Sequence, residues 1–298
     1  MLPRNNLHKY SIFLLFSVLF CFPAFAQKNY IRVYVPQAEI PPGTVLNSKN
    51  SLISTSYYDS AGRLIQTVQQ GITPLGKDIA NHIIYDSQNR KECEWQALPF
   101  STSDGLYKPL STFESSDYKD YYHVEYEYEP SVLNRITAEV GRNSKGKSIR
   151  MEYLMNTPAI SELSVYHYTR NSDTSIKNEG VYPAGFLNCI KQTDEDGNIL
   201  YTFTNPEKKV ILERHTHISY SENSDTYYIY DNLDELFCVL PPAASDILQS
   251  TSDIYTLSDN DILDRYAYFY HYDGLNNCVA TKLPGSGWYY TVYDGDCR

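Results

Sequence analysis

Long apolar runs are almost absent: beyond the stretch from Ile12 to Phe22, no segment of the 298-residue chain is apolar over the ~20 residues that a membrane-spanning helix requires. Basic residues are also scarce, 25 Lys and Arg against 36 Asp and Glu, for a formal net charge of −11. Such a chain repels phosphate backbones, and no basic patch interleaved with aromatics offsets this, so nucleic acid is excluded as a partner. Cysteine is thin and scattered. Beyond Cys21 there remain Cys93, Cys189, Cys238, Cys278 and Cys297, an odd set with no C-x-x-C pair, which reads as mostly buried free thiols and not as a disulfide framework, zinc site or redox motif. A G-x-S-x-G elbow and a glycine-rich phosphate loop are likewise missing.

What is present begins with Arg4 and Lys9, then the apolar run, then small residues at Ala24 and Ala26. This reads as a secretory signal peptide over residues 1–26, cleaved between Ala26 and Gln27. The run is about half the length of a membrane anchor, and Cys21 lacks the small residue that precedes a lipidated cysteine. The expected destination is the periplasm, the outer surface or the medium.

Tyrosine is the compositional outlier, with 29 in the chain, and with Ile, Val and Thr it falls in short alternating runs that point to strands. In "SYYDSAGRLIQ" the alternation places Ile53, Thr55 and Tyr57 on one face and resumes after the turn at Leu64, Gln66 and Val68. Asp59 is suited to accept amides two residues on, and Gly62 supplies the positive φ that closes the bend. Arg63 then opens the return strand. The pattern recurs: Tyr85, Asp86, Asn89 and Arg90; Tyr230 and Asp231; Tyr272 and Asp273; Tyr293 and Asp294. Asn89 stands where Gly62 stood, and Asn tolerates the left-handed region. Asp196-Gly197 reads as a two-residue hairpin turn, and Tyr128-Glu129 with Asn134-Arg135 as a degenerate copy. Leu-Pro pairs at Leu98, Leu240 and Leu283 mark strand ends. Self-similarity at this spacing means stacked units that bury their faces on one another.

The tyrosine-aspartate hairpin with trailing glycine and arginine resembles the YD repeat of bacterial Rhs proteins. The stretch "YYDSAGRLIQTVQQGITPLGKDIANHIIYDSQNRKECEWQALP" resembles the N-terminal domain of unknown function that opens many such secreted proteins. The resemblance implies a hairpin ribbon that spirals, in complete members, into a shell around a toxic C-terminal segment. No Asp-Pro dipeptide of the self-cleaving core is present, so neither protease nor payload carries over. Glu235 and Asn277 hold the arginine position in two repeats, whose turns are expected to be looser.

Other chemistry has a plainer account. His215 and His217 share a strand face at metal-ligand spacing, which a polar strand face also produces. Asp194, Glu195 and Asp196 resemble part of a calcium loop, but the twelfth position is Asn205. Glu125, Glu127 and Glu129 share a face at a spacing that glycoside hydrolysis uses, and equally as a solvated face that discourages edge pairing. The tyrosines with Trp95 and Trp288 serve cross-strand packing or sugar stacking.

The expectation is therefore an all-β protein. It is an antiparallel β-hairpin ribbon forming a curved open sheet or partial shell, with one or two short helices, one from "SDNDILDRY" after an N-cap at Ser258 and another in "SSDYKDYY". Residues 27–110 form an N-terminal β domain and 111–298 a degenerate repeat region, with long loops at 100–120 and 241–258. The function expected is a non-catalytic exported scaffold without cofactor or metal. Its partner would be a further YD-repeat segment at the C-terminal edge; the alternative is a surface glycan-binding module.

Overall fold

The computed structural model describes residues 29–39, 41, 43–116, 123–141, 148–217, 223–248, 253–257 and 261–294. The expected signal sequence with Ala26 and Gln27, most of "SSDYKDYY", Ser258 and Cys297 lie outside the described residues. The chain forms two compact units, residues 1–122 and 123–298.

In the first unit, β1 (Asn29–Pro36), β2 (Ser51–Tyr58), β3 (Leu64–Gln70), β4 (Ile79–Tyr85) and β5 (Lys91–Pro99) pair antiparallel in chain order. The period-two alternation decides which face is covered: Ser51, Ile53, Thr55 and Tyr57 of β2 are buried while their neighbours are not. Tyr57, Ile65, Val68, Ala80, Trp95 and Leu98 form the core with Phe113. Phe113 comes from α1 (Leu110–Glu114), a five-residue helix without a side-chain cap. So short a helix is unstable alone; it is held because Phe113 is fully buried, packing on Trp95 at 5.8 Å and Phe100 at 5.0 Å. Burial of a phenylalanine contributes about 1.5–3 kcal/mol.

The second unit continues with β6 (His123–Tyr128), β7 (Ile136–Gly141), β8 (Ile149–Met155), β9 (Tyr166–Ser172), β10 (Ser175–Val181), β11 (Asn188–Thr193), β12 (Ile199–Thr204), β13 (Val210–Thr216) and β14 (Asn223–Tyr230). It is completed by β15 (Leu236–Leu240), α2 (Pro242–Leu248), β16 (Ile254–Thr256), α3 (Asp261–Tyr266), β17 (Tyr268–Tyr272), β18 (Cys278–Lys282) and β19 (Trp288–Tyr290). Most strands again pair in sequence as antiparallel hairpins in an open sheet. β9, β10 and β16 leave it to form a three-stranded second sheet. Tyr168 and Ile176 of that small sheet, with Leu248 and Leu263 of the helices, pack on Phe203, Leu212, Tyr227, Phe237 and Phe269 of the large one. The edge of the Tyr168 ring meets Tyr227 at 5.1 Å.

Among the described residues the structure is thus nearly all-β, with three short α-helices. Strands end at the Leu-Pro pairs, β5 on Pro99 and β15 on Leu240. One expectation fails: within the stretch expected to be a long loop, Pro242–Leu248 form α2 and Ile254–Thr256 form β16. Ala244 and Leu248 recur on one side of α2 and are fully buried, which a reading of Ser, Asp and Pro content overlooks. Residues 100–120 likewise carry α1.

Candidate functional site: a ladder of carboxylate-anchored turns

At the first bend the Asp59 N–H donates to the Arg63 carbonyl at 3.0 Å and the Gly62 N–H returns to the Asp59 carbonyl at 3.1 Å. Gly62 has φ of +79°, and the pairing shifts register between Tyr57 and Tyr58. This is a three-residue hairpin loop closed by a left-handed residue and a bulge. The carboxylate organises it: Oδ1 accepts the N–H groups of Ala61 and Arg63, both at 2.9 Å, and Oδ2 accepts Arg63 Nε at 2.7 Å. Asp86 repeats each contact with Gln88 and Arg90 at 2.7–2.9 Å, with Asn89 at φ 66°.

The same loop stands at Asp231 and Asp273, whose Oδ1 atoms accept two amides each at 2.8–3.0 Å, with Asp234 and Asn276 left-handed. These turns are not looser, contrary to expectation. The Asn277 side chain donates to Asp273 Oδ2 at 3.1 Å in place of arginine, and Arg170 from β9 reaches Asp231 Oδ2 at 3.0 Å where Glu235 offers no donor. Asp196-Gly197 is also not a two-residue turn. Asp194 is the anchor, accepting the N–H groups of Asp196 and Asn198 and the Asn198 side chain at 2.8–2.9 Å; Gly197 is its left-handed residue. Two further copies have no aspartate. Asn205 accepts the Lys209 N–H and Thr73 the Lys77 N–H, both at 2.8 Å, with Lys208 and Gly76 left-handed. Glu129 spans a loop two residues longer, its extra methylene reaching Arg135 through both oxygens at 2.8 and 2.9 Å.

These contacts act on the acids. The Arg63 and Arg90 backbone N–H groups hold Asp59 and Asp86 below the ordinary carboxylate value. The Asn198 side chain does so for Asp194, and the Asn277 N–H for Asp273. The Arg135 guanidinium brings Glu129 down to about 2.

Four tyrosines, Tyr85, Tyr153, Tyr230 and Tyr293, belong to a bend that precedes them in the chain. The Tyr85 hydroxyl donates at 3.0 Å to the carbonyl of Leu64, the residue after Arg63, while the Arg63 guanidinium lies over the Tyr85 ring at 4.4 Å. Tyr230 repeats this on Val210 and Lys209, at 3.1 and 4.8 Å. Tyr153 does so on Ile136 and Arg135, at 2.9 and 4.2 Å. Tyr293 donates to Cys278, again the residue after the loop, at 3.1 Å. The basic residue also reaches forward, Arg63 Nη1 to Asn89 Oδ1 at 2.7 Å and Lys209 Nζ to the Asp234 carbonyl. The bends at Asp59, Glu129 and Asp273 are therefore locked twice, by their own acid and by a later tyrosine. Tyr58 and Tyr272 sit at the bulges opposite Leu64 and Cys278; the loop that Asp294 would open lies outside the described residues.

The remaining candidates are placed apart. His215 and His217 are exposed beside a cleft of about 420 Å³ that Asp194 also lines. Among the described residues no three His, Cys, Asp or Glu side chains gather where they would hold a metal ion. Glu129 is a turn anchor, and Glu125 lies 3.2 Å from His123 Nε2. Sequence reasoning missed two buried ion pairs whose partners are distant in the chain. Arg214 meets Asp225 through two bonds of 2.8 and 2.6 Å while its Nη1 donates to the carbonyls of Ser161, Glu162 and Ser164. Lys108 meets Asp78 at 2.9 Å.

Residues 32–153 match a family described as a domain of unknown function, DUF6443. No curated protein matches the chain. Among solved structures, 96% of the chain aligns with the TcdB2-TccC3-Cdc42 structure at TM-score 0.57 and 14% identity, over 12% of that chain. It aligns over 98% with TcdB2-TccC3-TEV at 0.53 and 13%, covering 13% of that chain. It aligns over 90% with the Photorhabdus luminescens Tc holotoxin pore at 0.52 and 14%, covering 12%. The fold is one that Tc toxin structures contain. At this identity the likeness is one of fold, and this chain spans only a small part of their length.

Proposed function

We propose that the chain is an exported, non-catalytic structural scaffold, a wall segment of the Rhs/YD-repeat kind that associates with further segments of the same architecture. The observation that carries this reading is the double lock. The bends at Asp59, Glu129 and Asp273 are closed by an acid and clamped by a tyrosine further along the chain, at Tyr85, Tyr153 and Tyr293, so these motif residues are occupied in joining one hairpin to the next. Support comes from the fold likeness across almost the whole chain to multi-component Tc toxin structures, and from the DUF6443 match. Among the described residues β1 exposes Ile31, Val33 and Val35, and β19 exposes Tyr289 and Tyr290, apolar strand surface suited to further association.

A glycan array read with the purified chain, together with sedimentation over a range of concentrations, tests the proposal. A scaffold shows no saturable glycan and associates as concentration rises. Saturable binding of one glycan, lost on Tyr290→Ala, combined with a monomer at every concentration, would overturn the reading in favour of a binding module.

A further inference from the structure

The densest buried charge in the first unit joins the approach to β4 with the segment between β5 and α1. Asp78 is fully buried and Lys108 is 5% exposed. Lys108 Nζ lies 2.9 Å from Asp78 Oδ2 and 2.6 Å from Asp104 Oδ1, and it also donates to Thr102 Oγ1. Lys108 Nζ thus bridges the two carboxylates, and Asp104 also accepts the Leu106 N–H at 2.9 Å. The groups are fixed. Gln66 accepts the Lys108 N–H at 2.7 Å and donates to its carbonyl at 2.8 Å, while Asp78 Oδ1 accepts the Gly71 N–H at 3.0 Å and Oδ2 the Gly105 N–H at 2.9 Å. Gly105 has φ of +65°, and a Cβ there would stand 2.8 Å from Gln70 Oε1, so a substitution would be strained and would displace Gln70. An amine and a carboxyl, 6% and 0% exposed, are thus held in contact, with a second, partly exposed acid on the amine. Those are the components of an amide condensation, and fixed contact supplies the proximity that such a reaction lacks in solution.

We propose that Lys108 and Asp78 condense into an intramolecular isopeptide bond, with Asp104 carrying the proton. One proton passes from the ammonium to Asp78 Oδ2, leaving a neutral amine beside a carboxylic acid, an exchange favoured where charge is buried. The nitrogen lone pair attacks Cγ, and the charge that develops on Oδ1 meets the Gly71 N–H. Asp104 takes a second proton from the nitrogen and delivers it to Oδ2. The Cγ–Oδ2 bond breaks and one water leaves. Ammonium and carboxylate become amide and water, with no oxidant or reductant. Burial pulls Lys108 down, but its bonds to Asp104 and Asp78 outweigh this and keep it above the ordinary lysine value. The ion pair is therefore the resting species, and condensation is slow beside folding. The product ties the β3–β4 connection covalently to the strap that carries α1.

The test is the intact mass of the full purified chain, fresh and after prolonged incubation at physiological temperature, followed by peptide mapping. The expected native chain becomes lighter by one water and yields a branched peptide joining Asp78 to Lys108. Lys108→Arg keeps full mass, Asp78→Asn loses one ammonia instead, and Asp104→Asn, folded by circular dichroism, keeps full mass. Full mass in the incubated wild-type chain, with both unbranched peptides recovered, overturns the proposal whatever the variants do. Condensation at the wild-type rate in Asp104→Asn overturns the role given to Asp104.

Discussion

Replacing Asp225 with alanine removes one partner of the Arg214 pair and leaves the other where it is. Arg214 and Asp225 side chains are 6% and 2% exposed, so the guanidinium cannot turn to water. It keeps three carbonyl acceptors and loses both carboxylate bonds. Breaking a buried pair in this way costs about 3–5 kcal/mol, a large share of the roughly 5–15 kcal/mol that holds a domain together. For a unit of this size the midpoint should fall by roughly 10 °C. The chain has two tryptophans, and Trp288 packs against the same core as the pair. Urea unfolding in a Trp95→Phe background, followed by fluorescence, therefore reports on the second unit alone. Arg214→Met with Asp225→Leu should recover most of the loss, because both charges are then gone. A loss below about 1 kcal/mol for Asp225→Ala, with no coupling in the double-mutant cycle, would place the pair in solvent and refute the reasoning.

Gly62→Ala should cost about 1–2 kcal/mol from backbone strain alone, since no atom lies near the added carbon; Asn89→Gly, measured the same way by denaturant midpoint, should stay within about 0.5 kcal/mol of wild type. Tyr85→Phe loses the bond to Leu64 and about 0.5–1.5 kcal/mol, and Tyr85→Leu loses the stack on Arg63 and about 0.5–1 kcal/mol more. An equal effect of the two substitutions would show the ring to be idle. Burial pushes the Cys189 thiol up to about 12 and Cys238 well above the ordinary value, so both should resist a thiol reagent at neutral pH until the chain is unfolded. Rapid labelling of either in the folded chain would contradict its place in the core.

The bends were legible in sequence where an aspartate, a left-handed-tolerant residue and a tyrosine coincide, as at Asp59, Asp86, Asp231 and Asp273. They were illegible where a weaker acceptor did the same work, as at Asn205 and Thr73, because neither residue is rare enough to signal a bend. At Asp194 the adjoining acids hid which carboxylate was the anchor, and the Asp-Gly dipeptide drew attention two residues downstream. The tyrosine clamp was invisible because its partner lies one hairpin back, at no fixed separation: Tyr85 and Leu64 are 21 residues apart and Tyr153 and Ile136 only 17. The second sheet was missed for a related reason. β16 pairs with β10 across a long gap, and nothing local in "DIYTL" distinguishes that pairing from any other. Arg214 lay within the stretch weighed for its histidines, yet only the fold brings it to Asp225 and the carbonyls of Ser161, Glu162 and Ser164.

The account rests on acids that hold the bends, and a carboxyl-carbon NMR titration with labelled Asp and Glu tests this most directly. Asp59, Asp86, Asp194, Asp273 and Glu129 are depressed in the folded state, so they stay ionised to lower pH than in the unfolded chain. The stability they contribute is present above the ordinary values of 3.8 and 4.5 and is lost as pH falls toward 2. Asp59, Asp86, Asp194 and Asp273 should titrate below 3.8, and Glu129 near 2. Midpoints at the ordinary values in all five would mean that their oxygens face water instead of the turn amides, and the ladder would not exist.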